Sequence, residues 1–264
     1  MARIIGVVSG KGGVGKTTVV SNLGAALAQS FKKKVTIIDC NITTSHLGLY
    51  LGMYYSPITL NKVLRGESDI QDAIYEHFSG MKIVPASLSL SELESVDITQ
   101  MRDNIKLISD DNDIIFLDGS PGLGREAMAT IKSSDEILYV TTPYVPSVMD
   151  IVRCQEVVNE IGLKSIGIVL NMVDREKHEM TKREIEQLTR LPVLTSIPYD
   201  KNIKRALSAK MPVVMFKPYT SSSKEFIRLA GSLIGEIYRS ESLFSRFSNL
   251  FKLRRPKPNL LITP

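Results

Sequence analysis

Apolar, mostly β-branched runs recur along the chain at residues 4–8, 35–38, 82–84, 114–117, 137–141, 166–170 and 193–197. They are short and near-continuous rather than strictly alternating with polar residues, which predicts strands buried on both faces. Between most of them lie stretches with helical periodicity, at 16–30, 98–108, 125–131, 148–161, 181–189 and 202–207. A further helix is predicted over 223–238, where Phe226, Ile227, Leu229, Ala230, Leu233, Ile234 and Ile237 share one broad face. Alternating β and α predicts an α/β fold, a mostly parallel twisted sheet with helices on both faces. No internal repeat and no Gly/Ser linker divides this body, which is read as one domain over 1–239.

Length and composition narrow this little. At 264 residues the chain is near the upper size for one α/β domain. An apolar content of 43% with 23% charged residues excludes wholesale disorder. Cys40 and Cys154 are isolated in sequence, which argues against a disulfide framework, a zinc site or an iron–sulfur site within one chain and fits a reducing cytoplasm. The first residues run from Arg3 into a strand-like stretch and then glycines, without the pattern of a secretory signal. No apolar run approaches the ~20 residues that a spanning helix needs. The net charge of +5 is more informative once located. Residues 240–264 carry Arg246, Lys252, Arg254, Arg255 and Lys257 against Glu241 alone, so the body is close to neutral. A broadly basic nucleic-acid face is therefore not expected.

The chemistry begins at Ser9-Gly10-Lys11-Gly12-Gly13-Val14-Gly15-Lys16-Thr17-Thr18, which follows the first strand and opens the first helix. Gly10 to Thr17 satisfies GxxxxGK[ST], the phosphate-binding loop. Its glycines let successive backbone N–H groups wrap a β-phosphate, and the helix N-terminus adds partial positive charge. Lys16 is expected to reach the β- and γ-phosphates, and the Thr17 hydroxyl to ligate Mg²⁺. A second acid signal is the apolar run 114–117 ending in Asp118, the Walker B pattern, which would hold Mg²⁺ through water.

Lys11 narrows the class. The string KGGVGKTT resembles the MinD/ParA family of deviant-Walker P-loop ATPases, and the resemblance runs from Arg3 to about Tyr238. Pro85-Ala86-Ser87, Ser147-Val148-Met149-Asp150 and Ile197-Pro198-Tyr199-Asp200 are similar to MinD-type sequences in order and spacing. The resemblance implies a P-loop NTPase-type fold, ATP/ADP and Mg²⁺ as cofactors, and a homodimer formed with ATP. In that dimer Lys11 would cross to the partner's nucleotide, much as an arginine finger does. It implies that Asp39 supports the metal and that Gly122, in the second switch, offers an amide to the γ-phosphate. It also implies that Asn171 reads the adenine edge and that Pro198 lies in the loop flanking the base. Where the family has a second aspartate to position or activate the attacking water, this chain has Asn41. An amide orients water but cannot take its proton, so slow hydrolysis is expected, with His46 in the same loop a secondary candidate. The cluster-holding branches of the family need cysteine pairs that Cys40 and Cys154 do not match.

The C-terminal segment 240–255 is the second discriminator. Leu243, Phe244, Phe247, Leu250 and Phe251 fall on one arc of a helix, with Arg246, Arg254 and Arg255 flanking it. Bulky apolar residues against a basic rim suit a helix lying in an anionic membrane surface, as MinD proteins use, and a short tail, 256–264, follows. The same stripe also suits docking on the body or on a partner. The expectation is thus a cytoplasmic, MinD-like ATP hydrolase that is peripherally and reversibly membrane-associated. It would act in spatial positioning such as division-site placement, with a protein activator or cargo. The alternatives are a ParA-like partitioning ATPase on DNA and a nucleotide-bound scaffold that barely hydrolyses.

Overall fold

The computed structural model describes residues 1–174 and 176–236. The predicted segments 240–255 and 256–264 lie outside the described residues, as does the end of the helix predicted to reach 238.

All seven apolar runs form strands. In chain order the strands are β1 (Arg3–Ser9), β2 (Val35–Asp39), β3 (Tyr75–Glu76), β4 (Lys82–Val84), β5 (Ile114–Pro121), β6 (Glu136–Thr141), β7 (Lys164–Val173) and β8 (Val193–Pro198). They make one sheet in the order β3-β4-β2-β5-β1-β6-β7-β8. Every pairing is parallel except β3 with β4. At two residues, β3 was too short for any periodicity to reveal. The helices are α1 (Lys16–Ser30), α2 (Leu47–Tyr50), α3 (Leu60–Leu64), α4 (Met101–Lys106), α5 (Arg125–Ser133), α6 (Val145–Ile161), α7 (Lys182–Thr189), α8 (Lys201–Ser208), α9 (Val213–Phe216) and α10 (Ser221–Leu233).

Three helix boundaries differ from the sequence reading by three residues or more, each for a local reason. The 98–108 stretch splits into a 3-10 turn, Ile98–Gln100, and α4. Helix α6 starts earlier than predicted because Pro146 occupies its first turn, where a missing N–H costs nothing. The helix predicted over 223–238 stops at Leu233. There Gly235 takes a φ of 71°, the Glu236 N–H donates to Gly231 O at 2.9 Å, and the Gly235 N–H donates to Ser232 O at 3.3 Å. That pair of bonds is a Schellman stop, which needs a residue free to adopt left-handed backbone. Ile234 still packs against the core from beyond the helix end.

Alternate residues of each central strand serve opposite faces. Ile5, Val7, Ile37, Phe116, Leu138 and Val140 pack with Leu23 and Leu27 of α1 and Phe226 and Ala230 of α10. On the other face Ile4, Ile38 and Leu117 meet α3 and α4, while Ile137, Tyr139 and Ile168 meet α6 and α7. The connectivity then places the site. From β1 the chain crosses to β2 through α1 on one face, and from β5 it returns to β6 through α5, passing β1 on the other. The crevice at a topological switch point lies beyond the C-terminal ends of the strands, and residues 10–15 emerge there.

Phe226 is fully buried between α1 and the sheet, so Phe226→Ala should cost about 3–5 kcal/mol. The expected result is a lower urea midpoint at unchanged m-value, measured on the full chain.

Candidate functional site

Each glycine of the loop that matters here answers to a specific neighbour. Gly15 has a φ of 91°, and a Cβ there would meet Asn171 Nδ2 at 2.3 Å. Gly10 lies against α6, where a Cβ would stand 2.0 Å from Asp150 Cβ. The loop is thus pressed between β7 and α6, and only glycine fits at either contact. Ser9 Oγ donates to Lys11 O at 2.8 Å, and the Lys16 ammonium donates to Ser9 Oγ at 2.8 Å. Lys16 is turned inward and buried, and that burial lowers its pKa, with the Asp118 charge opposing the shift. Lys11 points outward and is exposed.

Beneath the loop two acids stand side by side because β2 and β5 pair in a register that aligns Asp39 with Asp118. Both are buried. Burial pushes both carboxyls above the usual range; the neighbouring Asp39 charge adds to the effect at Asp118. The Thr17 hydroxyl hydrogen-bonds Asp118, while Asp118 Oδ1 is buried without any hydrogen-bond partner. Asp39 is more fully engaged. Its Oδ2 accepts from Ser45 Oγ at 2.7 Å and from the Leu47 N–H at 3.2 Å, and its Oδ1 accepts from the Asn41 N–H at 3.1 Å. Asp39 therefore shapes the loop 41–46 as well as facing Asp118.

The two predicted switch segments are tied to each other. Asn41 Nδ2 donates to Thr44 O at 2.7 Å, and its Oδ1 lies 2.9 Å from Ser120 Oγ. The Gly122 N–H donates to Ser9 O at 2.9 Å in this conformation, so that amide is held by the phosphate loop. Gly122 reaches a phosphate only if the bond opens. His46 is exposed, with its ring tilted against Tyr50 at 6.2 Å.

At the far end, Asn171 is brought in by an irregularity that the sequence does not advertise. The β7–β8 register shifts between Leu170 and Val173, and Met172 takes a left-handed φ of 58°. That bulge turns Asn171 onto the loop, where its Nδ2 donates to Val14 O at 2.8 Å. Its Oδ1 is buried and without a partner. A lone acceptor in a cleft suits an amino group such as that on an adenine edge. Pro198 lines the same cavity, joined by Met172, Tyr199, Ile203 and Lys204, and the Lys204 ammonium lies 5.3 Å from the Tyr199 ring centroid. The helix predicted over 202–207 is α8, but sequence reasoning did not assign Met172, Ile203 or Lys204 to the site; Asp200, which accepts from the Asn202 N–H at 2.8 Å, caps that helix at the cavity.

These residues enclose a cavity of about 380 Å³ running from Lys16 and Thr17 to Tyr199. A second cavity of about 520 Å³ adjoins it, lined by Ser120, Gly124 and Glu126 among others. Asn41, Thr44 and Pro121 line both.

The comparisons with known proteins agree with this geometry. The model of the CobQ/CobB/MinD/ParA nucleotide binding domain matches residues 5–213. The chain belongs to that family. It is similar to an uncharacterized ATP-binding protein of Methanocaldococcus jannaschii, at 36% identity over 95% of this chain and 98% of that one. Among solved structures it resembles the cell division ATPase MinD of Pyrococcus furiosus. The TM-score is 0.86 at 34% identity, covering 89% of this chain and 99% of the other. It also resembles the septum site-determining protein MinD of Pyrococcus horikoshii, which was solved with Mg-ADP. There the TM-score is 0.85 at 33% identity, covering 88% and 96%.

The family's ligand can be tested against this chain's own atoms. No group of three or more His, Cys, Asp or Glu residues suited to a metal occurs among the described residues, so there is no all-protein cage. What is present is an orphaned Asp118 oxygen beside Thr17 and a second buried carboxylate. That set fits Mg²⁺, which keeps several waters and completes its shell from phosphates. Thr17, Asp118 and Asp39 are the residues that would hold it, and the ion would neutralise charge on the phosphates.

Lys16→Ala removes the one buried ammonium under the loop. Charge-assisted bonds are each worth about 1.5–3 kcal/mol, so ATP affinity should fall roughly 10- to 100-fold in equilibrium binding. Wild-type affinity in this variant would show that the phosphates lie elsewhere.

Proposed function

We propose that this chain is a MinD-like ATP hydrolase that dimerises on binding ATP–Mg²⁺ and is held at anionic membranes by residues 240–255. The observation that carries the reading is the opposite placement of its two loop lysines. Lys16 is buried and bonded within its own loop, whereas Lys11 is exposed at the rim. Among the described residues no ion pair or hydrogen bond holds the Lys11 ammonium. An exposed cation beside a phosphate cavity is positioned to meet a second nucleotide rather than its own. Two copies facing each other across the loop would exchange their Lys11 side chains, each adding positive charge to the partner's terminal phosphates.

Membrane recruitment then follows from dimerisation. One tail offers a few apolar side chains and roughly 1 kcal/mol per basic residue near anionic lipid. Ordering the segment offsets much of that gain. Two tails on one dimer engage together, and the second binds at a high effective concentration. No helix among the described residues is long and apolar enough to cross a membrane. A cellular role in spatial positioning, with a protein activator or cargo, draws its support from the resemblance to the septum site-determining protein MinD.

Lys11→Ala should leave ATP affinity within about 2- to 3-fold of wild type, since an exposed charge contributes little locally. Dimerisation with ATP, followed by light scattering, should be lost. Normal dimerisation of this variant would remove the main support for the proposal.

Deleting 242–264 should abolish binding to anionic vesicles without changing the melting temperature of the body. Phe247→Glu should do the same and persist at moderate salt, because the contacts it removes are apolar rather than screened charges. A truncated chain that melts much earlier would instead identify the segment as part of the body's own packing.

A further inference from the structure

Asn41 leaves the proposed hydrolytic site without a carboxylate at the place where the family resemblance expects one. A carboxylate nevertheless stands one hydroxyl away. Glu126, in the first turn of α5, accepts at Oε1 from the Thr43 N–H at 3.1 Å and from Thr43 Oγ1. Its Oε2 contacts Ser120 Oγ, and Ser120 Oγ in turn lies 2.9 Å from Asn41 Oδ1. Donors from two loops converge on one half-buried carboxylate, and no ion pair to Glu126 occurs among the described residues. The packing of α5 does not need the arrangement, since Ala127, Thr130 and Ile131 supply its buried face.

The Ser120 hydroxyl has a single hydrogen, and Asn41 Oδ1 and an ionised Glu126 Oε2 both accept. Asn41 Oδ1 has a second donor, Thr44 Oγ1 at 3.0 Å, which leaves the Ser120 hydrogen for Glu126. A hydroxyl that donates to a carboxylate and still has lone pairs open is the arrangement of a proton relay.

We infer that Glu126, acting through Ser120, accepts the proton of the attacking water and so supplies what an aspartate at position 41 would supply directly. The inference rests on the reading of the chain as an ATP hydrolase. In the step, the water oxygen bonds to the γ-phosphorus and the bond from phosphorus to the bridging oxygen breaks. The electron pair of that bond leaves on ADP. The water proton moves to Ser120 Oγ as the Ser120 proton moves to Glu126 Oε2. Asn41, which lines both cavities, orients the water, and its Oδ1 keeps the hydrogen bond from Thr44 Oγ1 while the Ser120 hydrogen passes to Glu126. The cavity of about 520 Å³ that Glu126 lines then returns the proton to solvent. Ser120 and Glu126 both line the adjoining cavity and not the phosphate cavity itself, so the attacking water meets Ser120 at the boundary that Asn41, Thr44 and Pro121 share. Glu126 is thus a positioning residue and not a catalytic one in the strict sense.

The test is single-turnover ATP hydrolysis with ATP affinity measured in parallel, on the full chain and on Glu126→Gln, Asn41→Asp, the two combined, and Lys16→Ala. Glutamine keeps the size of Glu126 and one acceptor oxygen but cannot take the proton. Glu126→Gln should lower the hydrolytic rate by about 10²-fold, the lower end of what a positioned proton acceptor contributes. ATP affinity should stay within about 2-fold, as a group remote from the phosphates predicts. In the Asn41→Asp background the same substitution should change the rate less than about 2-fold, because two groups doing one job are not additive. A wild-type rate in Glu126→Gln would overturn the inference. So would a loss of equal size in both backgrounds, or a parallel loss of ATP affinity, either of which is the signature of a structural role. If the wild type hydrolyses no faster than Lys16→Ala, the hydrolase reading itself has failed and this inference falls with it.

Discussion

Three ionisable side chains are buried under one short loop, and most of the site follows from how their charges are balanced. Lys16, Asp39 and Asp118 are all less than a tenth exposed, and burial acts against the charged form of each. A buried charge without a partner is costly, and a buried pair is tolerated only where additional hydrogen bonds meet its remaining atoms. Here Ser9, Ser45 and the Leu47 amide do part of that work, and Asp118 Oδ1 is left over. A Mg²⁺–nucleotide would answer both needs, with a cation for the orphaned carboxylate and an anion for the ammonium. The fold keeps the three groups in place by means with little freedom to adjust. These are a β2–β5 register that aligns the two aspartates and a loop clamped where only glycine fits.

The same constraint links binding to conformation. Asp39 anchors the loop 41–46, and that loop is joined through Asn41 and Thr43 to Ser120 and Glu126. Gly122 is tied back to Ser9 within the phosphate loop itself. Under the proposed reading, a change in charge over the loop would reach both switch segments, since each shares a hydrogen bond with a residue under it. That is the physical content of a nucleotide switch, an element whose hydrogen-bond partners depend on which phosphates are bound. In the proposed dimer Lys11, at the rim, would carry that change outward to a second copy.

The fold and the glycine-rich loop of the candidate site were legible in the sequence, because both are written in local pattern. Seven strands were visible as apolar runs, and the loop as glycines between a strand and a helix. What stayed hidden depended on tertiary geometry. Strand β3 is two residues held by its antiparallel pairing, and α2, α3 and α9 are single turns too short to show a period. Helix α10 stops four residues before the apolar pattern does, because the Gly235 turn outweighs the hydrophobic repeat. Asn171 was visible as a residue after a strand, but its inward turn comes from a left-handed Met172 that no local rule requires. Glu126 was read only as part of a helix, since its contacts with Thr43 and Ser120 join segments far apart in the chain.

Nucleotide-dependent assembly of the unaltered chain tests the account most directly. The measurement is the mass of the full-length protein by light scattering in Mg²⁺ with ATP and with ADP, paired with co-sedimentation on anionic vesicles under the same two conditions. The account predicts a doubled mass and vesicle binding in ATP, and a monomer that stays in the supernatant in ADP. A monomer with both nucleotides, or vesicle binding indifferent to which one is present, would contradict it.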